Sequence, residues 1–228
     1  MKEKKPEIKY EGKIFTRIPI KTHVIKNGEN IVEVTERYAK PYLQKGDILF
    51  ITEKAVAICQ NRAYPVDSIK PRKLAVFLSR YVTKTKHGIG LGIPQTMEMA
   101  LRECGVVRIL FAAFVSFITK TFFGRRGDFY RIAGYRASSI DGPTLNTIPP
   151  YNRYVVLGPL HPDRVAKEVS KRLGVDVLIV DLNDLGGRIL GVSDRRIDKE
   201  KMYMILRDNP LGQGCEQTPL GIIRELKT

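Results

Sequence analysis

Apolar residues recur every three or four positions in several parts of the chain, and this spacing predicts amphipathic helices. The predicted helices cover residues 29–40 and begin at Pro71, Pro94 and Pro162. Proline suits the first turn of a helix because it has no backbone N–H to donate. The last helix has the clearest pattern, with Val165, Val169 and Leu173 on one face and Gly174 at its end.

Short runs rich in apolar and β-branched residues predict strands. These runs lie at residues 14–20, 48–51, 154–157, 175–180 and 220–224. Because strands and helices are intermixed along the chain, the fold class is α+β (mixed α/β). A chain of 228 residues can bury a sizeable core. We predict a basic, solvated arm over residues 1–13 and a single domain over residues 14–228.

The most apolar segment covers residues 109–119 and lies between Arg108 and Lys120. A helix that crosses a bilayer needs about 20 apolar residues, and this segment is shorter. We therefore predict a buried strand or helix here and no transmembrane span. A segment that touches a membrane surface without crossing it is the alternative.

The net charge of +15 and the isoelectric point near 9.8 indicate anionic partners. Nucleic acid, an acidic membrane surface and a polyphosphate ligand all fit this charge. The sequence contains no recognised nucleic-acid-binding motif, so we expect no specific nucleic acid. The three cysteines and three histidines are scattered without metal-ligand spacing, which argues against zinc and disulfides and favours a reducing cytoplasm.

Three polar residues beside turns are candidates for chemistry. Asp181 follows the predicted strand 175–180, Asp141 precedes Gly142 in a long polar stretch, and Gln213 lies between two glycines. Carboxylate and amide oxygens bind hard cations, and such cations bind polyphosphates. Each position also has an ordinary structural reading, as a turn residue or a plain loop. The glycine-rich residues 88–92 are a weaker phosphate candidate, for which a flexible loop is the favoured interpretation.

Several short motifs occur together in a characteristic order. They lie at residues 17–20, 46–49, 54–62, 140–141, 158–163, 178–181, 211–214 and 219–224. Together they resemble the gamma-glutamyl ligases that extend the deazaflavin coenzyme F420 by GTP-dependent addition of glutamate. The chain departs from the family pattern in four places: Ile58 replaces a lysine, Pro143-Thr144 replaces Ser-Asn, and Leu182 replaces a threonine that binds metal. Gly187-Arg188 also lies a little farther from Asp181 than in the family pattern.

The resemblance implies the family's fold, a mixed sheet with flanking helices, and a homodimer in the cytoplasm. It implies Mg²⁺ or Mn²⁺ bound by Asp141, Asp181 and Gln213. It implies GTP as co-substrate, with L-glutamate and an anionic acceptor joined through an acyl phosphate. The implied nucleotide-binding residues are Arg17, Ile18, Pro19, Ile20, Glu53, Lys54, Thr144, Leu211, Gly212, Gly214, Cys215 and Glu216. Catalytic side chains beyond these are not identified.

Two other functions are compatible with the sequence. The basic surface suits a protein that binds nucleic acid, and the apolar residues 109–123 suit a family member without activity that docks on membranes.

Overall fold

The computed structural model describes residues 5–82, 89–125, 127–145, 147–184, 186–212 and 214–226. The chain divides into two compact units. The sheet unit comprises residues 1–61 and 159–228, and the helical unit comprises residues 62–158. The elements confirm the mixed α/β class predicted above. The single domain predicted over residues 14–228 stays a prediction.

Eight strands lie within the described residues: β1 (Glu7–Tyr10), β2 (Lys13–Ile20), β3 (Ile48–Thr52), β4 (Ala63–Pro65), β5 (Tyr154–Val156), β6 (Asp176–Asn183), β7 (Gly186–Val192) and β8 (Leu220–Leu226). The helices in the same part of the chain are α1 (Ile31–Tyr38), α2 (Glu53–Cys59), α3 (Lys73–Ser79), α4 (Pro94–Cys104), α5 (Val106–Phe123), α6 (Asp128–Ala133), α7 (Tyr135–Ser138), α8 (Pro162–Leu173) and α9 (Lys199–Leu206).

The sheet unit is built on a six-stranded mixed sheet with the order β1-β2-β8-β3-β6-β7. Strands β3 and β6 are parallel, and the other neighbouring pairs are antiparallel. The central strands are buried because their residues are almost all apolar, as in sheets covered on both faces. Their side chains contribute to one core with those of α9.

One edge of this sheet collects several strand ends. Ile20 at the end of β2 pairs with Leu220 at the start of β8, and Ile51 of β3 pairs with the same Leu220. Thr52 at the end of β3 pairs with Val180 of β6. We call this side of the sheet, where β2, β3 and β6 end and β8 begins, the carboxyl edge. Ligands of open α/β sheets commonly bind at such an edge.

Helix α8 packs tightly against β7 at Gly191. A Cβ atom at this position would lie 2.4 Å from the carbonyl carbon of Pro162 and 2.6 Å from the backbone N of Asp163. Asp163 Oδ1 also accepts a hydrogen bond of 2.9 Å from the Val192 backbone N–H. The start of α8 is therefore held against β7 at backbone contact distance.

We expect Gly191→Ala to destabilise the protein by about 2 to 3 kcal/mol, because the new methyl group can be accommodated only if backbone moves. Urea unfolding followed by circular dichroism measures this loss. Gly214→Ala is the matched control, since its Cβ would meet only the flexible Glu216 side chain, at 3.2 Å. Equal midpoints for the two variants would show that α8 can move away from β7 at little cost.

The helical unit pairs the two-stranded sheet β4-β5 with helices α3 to α7. Its core includes Met97 and Leu101 of α4, Ile109 and Ala112 of α5, and Ile140. The other members of this core also lie between residues 69 and 157.

The prediction that residues 109–119 are buried is wrong. They belong to α5, and only Ile109 and Ala112 of that helix are buried. Within the described residues, α5 is the one helix that is long and apolar enough to cross a membrane by length and composition. Apolar composition predicts that a helix packs against another apolar surface, but it does not identify whether that surface belongs to the same chain.

Three further differences from the sequence prediction concern local structure. The predicted polar loop after α5 contains the short helices α6 and α7. The predicted solvated arm contributes β1, which pairs with β2. Asp181 lies inside β6 rather than after it, because the strand continues to Asn183 by pairing with β7.

Candidate functional site

Asp181 of β6 lies at the carboxyl edge and pairs with Arg188 of β7. The two residues are direct neighbours across the antiparallel strands. The Arg188 Nε donates to Asp181 Oδ2 over 3.2 Å. The side chains are 22% and 48% exposed. Ion pairs that water can reach contribute about 1 kcal/mol or less, so this pair leaves the carboxylate able to exchange Arg188 for a cation.

The sequence analysis named Gly187-Arg188 as a family motif but did not predict the pairing of Arg188 with Asp181. The signal for it was the pair of glycines before it, which marks the hairpin between β6 and β7. A Cβ atom at Gly187, where φ is +159°, would lie 2.2 Å from the Asp181 carbonyl oxygen. The turn therefore requires glycine at this position and brings Arg188 opposite Asp181.

The loop before β8 is closed by a contact between its glycines and Glu216. Glu216 Oε2 accepts a hydrogen bond of 2.7 Å from the Gly214 backbone N–H. Gly212 has φ of +87°, and a Cβ there would lie 2.5 Å from the Glu216 carboxyl carbon. The Glu216 carboxylate thus accepts from the Gly214 amide in the way a phosphate oxygen would, whereas the Gly212 N–H donates to the Asn209 carbonyl over 3.2 Å. Gln213, predicted to bind metal, lies outside the described residues.

The rest of the loop is held by two short contacts. The Thr218 Oγ1 donates to the Leu211 carbonyl over 2.6 Å, and the Asn209 side chain donates to the Gly212 carbonyl over 2.9 Å. Leu211 is buried, and Cys215 is exposed beside the glycines. The backbone N–H of Thr52 donates to the Pro219 carbonyl over 3.0 Å, which joins the end of the loop to the carboxyl edge.

The other predicted nucleotide-binding residues of the sheet unit are also placed by this edge. Ile18, Pro19 and Ile20 are the last three residues of β2. Glu53 and Lys54 begin α2 directly after β3, where the Thr52 side chain accepts from the Ala55 N–H at the helix start. Sequence positions more than 160 residues apart are therefore neighbours in the sheet.

Arg17 differs from its neighbours. Its side chain is 1% exposed. The Nη1 donates to the Ile205 carbonyl over 3.0 Å and to Asp208, and the Nη2 donates to the Lys5 carbonyl. The guanidinium therefore joins β2 to the end of α9. The Arg17 side chain is thus engaged within the protein. A contact between Arg17 and a nucleotide stays a prediction.

In the helical unit, Asp141 is held by a backbone bridge. Its N–H donates to the Val156 carbonyl over 2.8 Å, and its carbonyl accepts from the Val156 N–H over 2.9 Å. The preceding Ile140 is buried, whereas Asp141 itself is exposed. The buried Ile140 side chain and the backbone bridge at Asp141 fix the backbone that carries the Asp141 carboxylate.

The neighbours of Asp141 include the glycine-rich segment. A Cβ at Gly142 would lie 3.2 Å from Thr96 Cγ2 and 3.4 Å from Ile89 Cβ. Sequence reasoning did not find this proximity. Residues 83–88 lie outside the described residues, so a phosphate site at the whole segment stays a prediction. Thr144 Oγ1 lies 2.8 Å from Thr147 Oγ1, so the predicted nucleotide ligand is part of a turn.

The donor set suits Mg²⁺ or Mn²⁺. Asp141 is exposed and Asp181 is partly exposed, and both supply the oxygen atoms that hard cations prefer. Among the described residues, no group of three His, Cys, Asp or Glu side chains is arranged to hold a metal ion by itself. Asp141 belongs to the helical unit and Asp181 to the sheet unit. Binding of one cation by both residues stays a prediction.

Two of the departures from the family pattern have structural consequences. Ile58 is buried in α2, so an apolar residue occupies the position of the family lysine. Leu182 packs against the core of the sheet unit. Both changes place an apolar side chain where the resemblance implies a polar one.

Residues 19–197 match the protein family described as F420-0:Gamma-glutamyl ligase. This match covers most of the chain, so the chain belongs to that family of ligases, and the resemblance inferred from the motifs is confirmed. The chain is also similar to the curated protein Coenzyme F420:L-glutamate ligase of Methanopyrus kandleri strain AV19. The two are 26% identical over an alignment 237 positions long, which covers 89% of this chain and 83% of the relative.

Proposed function

We propose that this protein is a ligase that joins the amine of L-glutamate to a carboxylate of an anionic acceptor, as the name of its relative states for coenzyme F420. The observation that carries the proposal is family membership over residues 19–197. The carboxyl edge supports the proposal, because it brings together the end of β2, the start of α2, Asp181 and the loop at residues 211–219. A ligase of this class needs a nucleotide to activate the acceptor.

The proposed reaction has two steps. The acceptor carboxylate attacks the terminal phosphoryl group of GTP, so that an acyl phosphate forms and GDP leaves. The amine of glutamate then attacks the acyl carbon, phosphate leaves with the bonding electrons, and the amine loses a proton. A bound divalent cation supplies charge neutralisation for the phosphoryl transfer, which otherwise depends mainly on positioning.

Residues of this chain have separate roles in the proposal. Asp141, Asp181 and Gln213 would hold Mg²⁺ or Mn²⁺. Lys54 and backbone amides near Gly212 and Gly214 would hold phosphate oxygens, and the Gly214 N–H becomes available once the Glu216 carboxylate leaves it. The net charge of +15 would attract the nucleotide and an acidic acceptor together. We also propose a homodimer in the cytoplasm, on the basis of the family resemblance.

Binding of metal and nucleotide should stabilise the folded protein. At a GTP concentration about one hundred times its Kd, the gain is about 2.7 kcal/mol, which corresponds to a rise in Tm of about 5 to 10 °C. Differential scanning fluorimetry with an external dye measures this rise with Mn²⁺ plus GTP. Scans with GTP alone and with Mn²⁺ alone measure the contribution of the metal. A scan with ATP plus Mn²⁺ measures the preference for guanine over adenine.

An unchanged Tm under all these conditions would contradict the nucleotide-dependent part of the proposal. A direct assay completes the test: labelled glutamate is incubated with the deazaflavin acceptor, GTP and Mn²⁺, and the amide product is separated by chromatography. Stabilisation without product would retain nucleotide binding and reject this acceptor.

A further inference from the structure

Helix α5 of the helical unit turns a row of large apolar side chains outward. The α5 stripe consists of Val107, Leu110, Phe111, Phe114 and Phe117, whose spacing of three or four residues places them on one side of the helix. Phe122 lies beside the stripe near the helix end, and Phe123 is exposed on the other side of the last turn. These seven side chains are between 41% and 82% exposed. Contiguous exposed apolar surface of this kind marks an interaction site.

The stripe cannot be hidden by rotation of the helix. Ile109 and Ala112 on the other side of α5 are fully buried in the core of the helical unit. The Arg108 Nε donates to the Ile132 carbonyl of α6 over 3.0 Å. Turning the stripe inward would remove these contacts, so α5 is apolar on both its inner and its outer face.

The part of the sequence that contains the stripe carries an excess of positive charge. Between residues 104 and 140 the sequence has six basic residues and one acid: Arg108, Lys120, Arg125, Arg126, Arg131 and Arg136 against Asp128. Asp128 is only 3% exposed and is paired with Arg125 and Arg131. The carboxylates of the adjoining α4 are also paired, Glu98 with Arg72 and Arg102, and Glu103 with Arg62.

We propose that the α5 stripe is a docking surface for an anionic lipid bilayer, which α5 enters in the plane of the interface. The phenylalanines would enter the boundary between headgroups and acyl chains, and the surrounding cations would meet anionic headgroups. This complementarity favours lipid over a second copy of the chain, which would bring the same cations to the same surface. The proposal is independent of the ligase activity.

An interfacial position also fits better than a transmembrane one. To cross the bilayer, α5 would have to leave the core that Ile109 and Ala112 complete and carry Arg108 into or through hydrocarbon. Lying in the interface, the helix keeps its inner contacts and buries only the stripe. Burial of each phenylalanine should strengthen vesicle binding by about tenfold or more.

The absence of tryptophan from the chain permits a direct test. Phe114→Trp introduces a single tryptophan into the stripe, and Tyr42→Trp introduces one at an exposed position of the sheet unit as the matched control. We expect the emission of the Phe114→Trp protein to shift to shorter wavelength with vesicles of phosphatidylcholine containing about a quarter of phosphatidylglycerol. The control protein and pure phosphatidylcholine vesicles should give little or no shift.

Co-sedimentation with the same vesicles measures the affinity. Phe114→Ser/Phe117→Ser should weaken binding by about a hundredfold, whereas Tyr42→Ser should not change it. Carbonate extraction should release the bound protein, as expected for a peripheral contact. The proposal is overturned by resistance to that extraction, by equal binding of the two serine variants, or by no vesicle binding. A second copy of the chain is the other candidate occupant of the stripe. The proposal is overturned in its favour if the Phe114→Trp emission shifts with protein concentration alone and the Phe114→Ser/Phe117→Ser variant is a monomer where the parent is a dimer.

Discussion

Replacing Asp181 with asparagine is expected to lower kcat/KM for glutamate ligation by about 10²- to 10³-fold, because a neutral amide cannot offset the charge of a divalent cation as a carboxylate does. The Tm should change little, since the pair that Asp181 forms with Arg188 is accessible to water. Asp141→Asn should have an effect of similar size. Initial rates at several Mn²⁺ concentrations measure it, and high Mn²⁺ should restore part of the lost activity.

Asp176→Asn is the control for this experiment. Asp176 is the first residue of the same strand, at the opposite end from Asp181, and it is exposed. Its Oδ1 accepts from the Ser193 hydroxyl, and an asparagine oxygen can do the same. This variant should keep its activity. If Asp181→Asn also stays within about threefold of the parent, Asp181 has no metal-binding role.

Glu98→Ala is expected to cost about 2 to 4 kcal/mol of folding free energy. Glu98 lies in α4 with its side chain only 2% exposed, and its carboxylate accepts from Arg102 over 2.8 Å and from the guanidinium and backbone N–H of Arg72. Removal of the acid leaves these donors without their partner. Urea unfolding provides the measurement, and Glu168→Ala, which removes an exposed pair with Arg164, should cost less than about 0.5 kcal/mol.

The contribution of Glu98 should depend on pH. Burial alone would raise the pKa of this carboxyl group, but hydrogen bonds from Arg72 and Arg102 outweigh burial and leave the pKa below its usual value of 4.5. The stabilisation is therefore present above about pH 4.5 and is lost as pH falls below it. The stability gap between the parent and Glu98→Gln should narrow over that acidic range. A gap that is constant down to pH 3 would show that charge is not involved.

The sequence predicts four strands of the sheet unit, β2, β3, β6 and β8, but neither β1 and β7 nor the pairing of the strands. The apolar runs that form β3 and β6 are visible in the sequence because both faces of these strands are buried. Their parallel contact joins residues more than 120 positions apart, and no local signal specifies it. The carboxyl edge therefore became visible only with the fold, although Lys54, Asp181 and Gly212 had each been singled out before.

The remaining differences have physical causes in particular residues. The pairing of Asp181 with Arg188 depends on the register of β6 and β7, which includes an irregularity between Ile179 and Val180. Helices α6 and α7 are too short to show a helical period. The exposure of Phe114 and Phe117 was unpredictable because an apolar helix has the same pattern in a core and at a surface.

The position of β8 sets an order for folding during synthesis. This strand is central in its sheet, between β2 and β3, yet it is formed by residues 220–226. The residues of the helical unit all emerge from the ribosome earlier. Until β8 is made, the edges of β2 and β3 that it will join remain unpaired, and β3 and β6 lack their connection to β2. Assembly of the carboxyl edge therefore follows synthesis of the whole helical unit, and the unpaired edges of β2 and β3 need protection from aggregation until then.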